Sequence, residues 1–340
     1  MSRHIGIDLG TANTLIYCKG KGIVLNEPSV VAVQTSNGAI LAVGEQAKQL
    51  IGRTPETVAV VKPLLGGVVA DFDGAYAMLK TFLEKAVPAG FHRPRVTVCV
   101  PCGVTEVEKR AVLEAVERAG GKNAYTIEEP MAAAMGAGLA VTEPGGCMVV
   151  DIGGGTCEAA VVSFGGTVSS VSVRCAGDHL DEDIVDYMKD TYDLVIGTRT
   201  AEEIKIAIGS VYPVSEKKEM SVMGRDGRNG LPASVSVTSE DVRRAIEPTV
   251  EKIINAVKKT LEQTPPELIA DVFRNGIVLT GGGAGLPGLD QRISEQTGIA
   301  VSVAENPEEC VAKGAGMALS SVLSSSLFGK YVKRPKKSGV

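Results

Sequence analysis

One pattern constrains this chain more than any other, and it occurs twice. Near the N-terminus, Ile5-Gly6-Ile7-Asp8-Leu9-Gly10-Thr11 passes from an apolar run through a carboxylate into a glycine turn and a threonine. A second apolar run, 14–17, follows at once. About 143 positions later, Met148-Val149-Val150-Asp151 leads into Ile152-Gly153-Gly154-Gly155-Thr156, and Ala159–Val162 follows. Each copy reads as two short strands joined by a turn. A hairpin turn uses glycine for positive φ. Three consecutive glycines exceed that need, and they bare a row of backbone N–H groups that suits a phosphate. Asp151 at its strand end could hold Mg²⁺ through water, with the Thr156 hydroxyl beside the same pocket. An echo at so long a period indicates duplicated domains, because solenoid repeats are far shorter. Two such hairpins, face to face, would clamp a nucleotide's phosphates and a metal between two lobes.

A chain of 340 residues is long enough for two domains with a core each. Aromatic residues are only 4%, which argues against base stacking as the main binding mode. A net charge of −5 gives no general electrostatic case for nucleic acid as a partner. Seven cysteines are scattered without paired zinc spacing. Cys99-Val-Pro-Cys102 is a lone CxxC, but a thioredoxin-like reading needs that motif at a helix start, and the helix begins later, near Thr105. The odd cysteine count, with no signal peptide, points to a reducing cytoplasm. No apolar run approaches the roughly 18 residues needed to span a bilayer.

The pattern predicts strands at 4–8, 14–18 and 28–33, with Lys19–Gly22 as a turn and a short helix near 44–51. An amphipathic helix over 75–86 follows Asp71-Phe72-Asp73. Residues 89–94 read as a loop carrying Phe91. A strand at 96–100 precedes a helix that a capping box, Thr105 with Glu108, starts. A short strand, 125–127, delivers Glu128-Glu129-Pro130 to a small-residue helix over 131–140. The second half repeats the plan: strands at 147–151, 157–162 and 167–173, then helices near 180–193 and 200–208. Residues 211–232 carry little periodicity. A long helix over 240–262, capped by Thr238 or Ser239, presents one apolar face. A strand at 276–280 runs into Gly281-Gly282-Gly283-Ala284, a third glycine loop. A last strand at 301–304 and a helix over about 308–323 close the fold.

Two rival phosphate-binding readings fare worse. No Walker A pattern exists. A GxGxxG does occur at Gly283, Gly285 and Gly288, with Glu305 at the end of the next strand, but the rest of a doubly wound sheet would have to come before the motif. It also leaves both Asp-Gly-Thr hairpins unexplained.

The order Asp8-Leu-Gly-Thr11, Asp151-Ile-Gly-Gly-Gly-Thr156, Thr280-Gly-Gly-Gly283 resembles the actin/Hsp70/sugar-kinase ATPase superfamily. Longer runs narrow the likeness. Ile7–Tyr17, Lys19–Val31, Ile51-Gly-Arg-Thr54, Glu128-Glu-Pro-Met-Ala-Ala-Ala134, Thr200-Ala-Glu-Glu-Ile-Lys205 and Thr264-Pro-Pro-Glu-Leu268 resemble the MreB family of bacterial actins, over about residues 4–320. The resemblance implies an α/β, actin-like (ribonuclease H-like) fold of duplicated domains around a central cleft. The first lobe would span 1–146, with a small subdomain at about 33–66 and a return of the chain at about 308–325. The second would span 147–307, with a small subdomain at about 180–240, leaving a basic tail at 326–340.

The resemblance also implies ATP and Mg²⁺ in the cleft. By motif, Thr11, Ala12, Asn13, Gly153, Gly154 and Gly155 would contact phosphate. Glu202, Glu203, Ile204, Lys205, Gly281, Gly282, Gly283 and Ala284 would reach the nucleoside. Asp8 and Asp151 would hold Mg²⁺ through water. Glu129 and Thr156 would position the attacking water, and Asp71 resembles a further active-site carboxylate. Phosphoryl transfer needs neutralised charge and an oriented water, which these residue types supply. The implied activity is slow ATP hydrolysis tied to polymerisation. The implied setting is a filament, self-associated head to tail and laterally, on the inner face of the cell membrane. There it would meet membrane lipid and the proteins of cell-wall elongation, and maintain rod shape.

The chain departs from the family pattern at Cys157, where a second threonine is usual and a change near phosphate is expected. It also departs at Pro101-Cys102 and at Gly285-Leu-Pro-Gly288. The candidate membrane elements are the Phe91 loop and the segment 323–337, whose apolar residues adjoin a basic cluster. Two alternatives share the fold. A small-molecule kinase needs an acceptor pocket with its own base, and no motif for one is present. An Hsp70-like chaperone needs a β-rich peptide-binding domain after about residue 320.

Overall fold

A computed structural model describes residues 4–87, 93–213 and 218–324, with the side chains of 319–324 left aside. The first lobe opens with β1 (His4–Leu9), β2 (Asn13–Cys18) and β3 (Gly22–Pro28). A small sheet follows, with β4 (Val31–Gln34), β5 (Ile40–Val43), α1 (Glu45–Lys48) and β6 (Val58–Val61). A ribbon of β7 (Leu64–Leu65) and β8 (Val68–Val69) leads to α2 (Phe72–Ala86), β9 (Arg95–Val100), α3 (Glu106–Arg118), β10 (Lys122–Glu128) and α4 (Glu129–Gly136). The second lobe begins with β11 (Cys147–Ile152), β12 (Cys157–Ser163), β13 (Gly166–Val173) and α5 (Gly177–Tyr192). It continues through β14 (Leu194–Val195), α6 (Thr198–Ile208), β15 (Glu219–Asp226), β16 (Pro232–Thr238) and α7 (Ser239–Glu262). It closes with α8 (Pro266–Asn275), β17 (Ile277–Thr280), α9 (Leu289–Thr297) and β18 (Val301–Val303), before α10 (Cys310–Ser324).

The two main sheets have one plan. The first orders its strands β3-β2-β1-β9-β10 and the second β13-β12-β11-β17-β18. In each, three strands meander antiparallel and two more join in parallel beside the first. Asp8 lies opposite Leu15 in the first hairpin, and Asp151 opposite Glu158 in the second. The sequence echo is thus a duplicated sheet. Both aspartates reach the C-terminal end of a strand with a parallel neighbour, where α/β sheets open to ligands.

Each sheet buries one face in an apolar core of its own lobe, and α4 and α10 cover a further cluster with Cys99, Ile127, Val149 and Val162. Ile5, Ile7, Ile16, Val96 and Val98 pack with Met78, Leu79 and Phe82 of α2 in the first lobe. Met148, Val150, Ile152 and Leu279 pack with Ile184, Ile246, Val250, Ile253 and Ile254 in the second. The apolar spacing read along α7 lies in that core. Its N-terminus is fixed by Thr238 and Asp241 in a capping box, as α3 is by Thr105 and Glu108.

After the second lobe the chain crosses back. The helix α10 lies on the first sheet at backbone contact: a Cβ on Gly6 would strike Gly316, and one on Gly136 of α4 would strike the Cys310 carbonyl. Cys99 Sγ also donates to the Val311 carbonyl, at 3.7 Å.

Three expected elements differ. The stretch 28–33 is not one strand: Pro28 ends β3 in the main sheet, and β4 starts at Val31 in the small one. The turn read over Lys19–Gly22 is present between β2 and β3, with Gly22 already the first residue of β3. The helix predicted over 131–140 starts earlier, at Glu129, and stops at Gly136, since Gly138 takes φ +80°. Within 211–232, β15 forms a hairpin with β16, whose outer face is polar and exposed.

Candidate functional site

The two hairpin turns meet. A Cβ on Gly154 would come within 2.5 Å of Ala12 Cβ, and one on Gly155 within 2.6 Å of Thr11 Oγ1. Such separations are impossible for real side chains, so glycine here is what lets the lobes close on each other. Gly177 N and Asp178 N donate to the carbonyls of Gly153 and Gly154, tying the glycine turn to the start of α5. Gly67 N donates to Thr11 Oγ1 at 3.1 Å, tying the other turn to the ribbon. Between the lobes lies a cleft of about 440 Å³, within the usual range for small-molecule sites.

Most of the residues singled out in the sequence line this cleft. They are Asp8, Thr11, Ala12, Asn13, Glu129, Asp151, Gly153, Gly154, Gly155, Thr156, Glu202, Lys205, Gly281, Gly282 and Gly283. Four others lie elsewhere. Ala284 and Ile204 are buried in the second lobe's core. Glu203 points outward and pairs with Arg199 at 3.2 Å. Asp71 is the N-cap of α2, accepting from Asp73 N and Gly74 N, and is not among the lining residues.

The acidic groups define the chemistry. Burial, with Asp151 opposite, pushes the Asp8 carboxyl up to about 8. Burial raises Asp151 to about 6, and the Thr280 hydroxyl, 2.7 Å from its Oδ1, opposes the rise. Glu129, the first residue of α4, is raised well above the carboxylate range by burial and then by the charges of Glu158, Asp8 and Asp151. Among the described residues no basic side chain contributes to the shifts of these three groups. Concentrated, uncompensated carboxylates suit a bound cation. Among the described residues no three metal-ligating side chains cluster closely enough to chelate a metal alone. That fits a cation held through water and phosphate oxygens, the usual manner of Mg²⁺.

Some lining residues carried no sequence signal. Asp178 and Asp181 come from a segment of unremarkable composition, whereas Leu286 and Pro287 lie in the Gly285–Gly288 run that departs from the family pattern. Lys205 Nζ binds Asp181 at 2.8 Å and the Gly177 carbonyl at 2.9 Å, which fixes α6 against α5. Glu158 lies behind the cleft wall. It is 1% exposed, its Oε1 accepts from Cys102 N at 2.8 Å, and burial lifts it to about 7.

Cys157 corrects an expectation. It faces the apolar core with Ile152 and Ala176 and does not line the cleft, because successive strand residues point to opposite faces and Thr156 takes the cleft side. The CxxC is not placed for redox chemistry either. Cys99 is buried, and burial raises both thiols far above the range of reactive cysteines.

The family model described as MreB/Mbl protein matches residues 2–326. This chain belongs to the MreB/Mbl family. Cell shape-determining protein Mbl of Bacillus subtilis is 50% identical over 322 residues, which cover 94% of this chain and 97% of that one. Cell shape-determining protein MreB of Escherichia coli is 50% identical over 327 residues, 94% of each. The crystal structure of MreB 5 of Spiroplasma citri bound to AMPPNP superposes with a TM-score of 0.90 at 34% identity, over 95% of this chain and 98% of that one. The fold is actin-like. A MamK double helical filament, at 23% identity and TM-score 0.81, shares that fold. Among the described residues no helix is long and apolar enough to cross a membrane.

Proposed function

We propose that this chain is a cell-shape cytoskeletal protein that binds ATP with Mg²⁺ in the interlobe cleft, hydrolyses it slowly, and assembles head to tail into filaments at the inner membrane. The observation that carries the nucleotide half is the meeting of the two Asp-Gly-Thr turns above a set of uncompensated carboxylates. Relatives named cell shape-determining proteins, at 50% identity over nearly the whole chain, support the cellular role. A relative solved with AMPPNP and with ADP supports the ligand class. Membership in the MreB/Mbl family carries the filament half.

On this reading the backbone N–H groups around Gly153–Gly155 and Thr11–Asn13 hold the phosphates. Asp8 and Asp151 hold Mg²⁺ through water, and the ion supplies charge neutralisation at the phosphates. Glu129 acts as the base that orients and deprotonates water, with the Thr156 hydroxyl as its companion. A buried carboxylate ionises poorly alone, so Glu129 becomes competent only when positive charge enters the cleft. The two membrane candidates, the Phe91 loop and the segment 323–337, lie wholly or largely outside the described residues.

The test is sedimentation of the purified chain across a concentration series with ATP and Mg²⁺, with and without anionic liposomes. Assembly predicts a threshold concentration above which protein pellets and hydrolysis rises together. Glu129→Ala should cut hydrolysis by about 10²–10⁴-fold while ATP binding persists. Hydrolysis linear in protein, with no threshold, would instead describe a soluble ATPase or kinase. Liposomes that carry down no protein would remove the membrane.

A further inference from the structure

The turn Gly282–Gly285 is a 3₁₀ turn with two unlike faces. Gly283 and Ala284 turn inward. A Cβ on Gly283 would run into Ile152, and Ala284 is in the lobe core. Gly282 and Gly285 stand three apart, and residues at that spacing eclipse in a 3₁₀ turn. They therefore share the other face, and both line the cleft, as Gly283 between them also does. A Cβ added to either would meet no atom within 4 Å. Neither has the positive φ that makes glycine necessary at Gly281 (+80°) and Gly288 (+82°). The fold itself gives no reason for glycine at 282 or 285. The open space before them gives one.

That space has a defined boundary. Val211 N donates to the Pro287 carbonyl at 2.9 Å, and Gly288 packs on Tyr212. Leu286 lies against the end of α6, with its Cδ1 3.3 Å from where a Cβ on Gly209 would stand. The turn and α6 thus form one wall. On it Ile206, 75% exposed although aliphatic, lines the cleft together with Leu286 and Pro287. An apolar shelf beside a bare backbone face suits the flat ring of a nucleobase and leaves room at its edge.

We infer that Gly285 widens the base end of the cleft, so that this chain takes purine nucleoside triphosphates carrying a bulky substituent on the base as well as ATP. The inference rests on the nucleotide reading of the cleft. The probe is N6-benzyl-ATP, compared with ATP by calorimetric titration of the full chain in Mg²⁺. The expected result is that the two bind within about threefold of each other. In Gly285→Leu, N6-benzyl-ATP should weaken by about tenfold or more relative to ATP, because the new side chain fills the gap. Gly285→Ala is the second variant. Its melting temperature should equal or exceed that of the unaltered chain, since alanine at an unstrained φ lowers the entropy of the unfolded state. It should also begin to discriminate against the benzyl nucleotide. Rejection of N6-benzyl-ATP by the unaltered chain overturns the inference while leaving the nucleotide reading intact. So does an equal loss of both nucleotides in Gly285→Leu. A failure of ATP itself to bind overturns both.

Discussion

Asp8 and Asp151 end equivalent strands of the two sheets, and the charge of Asp151 adds to burial in raising the Asp8 carboxyl. Their protonation therefore couples to stability. Both are raised in the folded state, Asp8 to about 8 and Asp151 to about 6, with Glu158 at about 7. The folded state then binds protons that the unfolded chain has already lost, so stability falls as pH rises. The fall starts near the unfolded carboxylate value and is complete once pH passes the folded values, so the window runs from about 4 to about 8. Each group contributes about 1.4 kcal/mol for every pH unit over which it is protonated only when folded. Nucleotide-free protein should melt at a lower temperature at pH 8 than at pH 6, and Asp8→Asn should flatten that difference. Mg²⁺ with ATP should raise the melting temperature more at pH 8 than at pH 6, because a cation favours the ionised carboxylates. Scanning calorimetry at the two pH values reads all three. A melting temperature that rises with pH in the free protein would show that these groups are not held protonated.

At the scale of elements, α4 matters because it begins with Glu129 and is held by glycines. A Cβ on Gly314 of α10 would strike the Ala132 carbonyl, just as one on Gly136 would strike that of Cys310. Backbone does not yield as a flexible side chain does, so Gly314→Ala must push the helices apart. The expected cost is about 1–3 kcal/mol or more, and α4 should carry Glu129 out of place. Hydrolysis should then fall by a larger factor than ATP affinity, measured on protein that still melts cooperatively. Unchanged melting and hydrolysis would mean that the crossing is looser than its backbone contacts indicate. The small residues over 131–140 suit a helix that packs closely, but its partner was not legible, since Gly314 and Gly316 are only small residues in a helical run. What was legible had a local cause. The Thr105 and Glu108 box and the Asp-Gly-Thr turns act within a few residues, and the structure keeps them where they were read. The missed elements depended on distant neighbours. The strand β3 went unread between the turn at 19–22 and the strand expected at 28–33, and β15 hid because its pattern mixes Met223, 80% exposed, with inward Val222. Site residues divide in the same way. The glycine turns announced themselves and the run at 285–288 stood out by its departure from the family pattern, whereas Asp178 and Asp181 reach the cleft only through the packing of α5. Asp71 was taken toward the cleft by its motif, and its local role as a helix cap is what the structure displays.

Across the whole molecule, two ion pairs bridge the mouth of the cleft. Lys62 Nζ lies 2.7 Å from Asp178 Oδ2, and Lys48 Nζ lies 3.0 Å from Glu202 Oε2. The lysines belong to the first lobe and its small sheet, and the carboxylates to α5 and α6 of the second. Asp178 and Glu202 both line the cleft, so each pair closes the lobes over whatever the cleft holds. Both pairs are partly exposed, with side-chain accessibilities of 27–39%, so each is worth only about 0.2–1 kcal/mol and is screened by salt. That modest size suits a clasp that must open for every exchange of ligand. It also fixes what removing it should do. Lys62→Met with Lys48→Met should speed release of a fluorescent ATP analogue by a few-fold, up to about tenfold, with little change in melting temperature. Raising salt from 50 to 500 mM should speed release from the unaltered chain and leave the double variant nearly indifferent. Stopped-flow displacement by excess ATP measures both. Equal salt sensitivity in the two proteins would place the opening of the cleft elsewhere, at the shared backbone contacts of the facing turns.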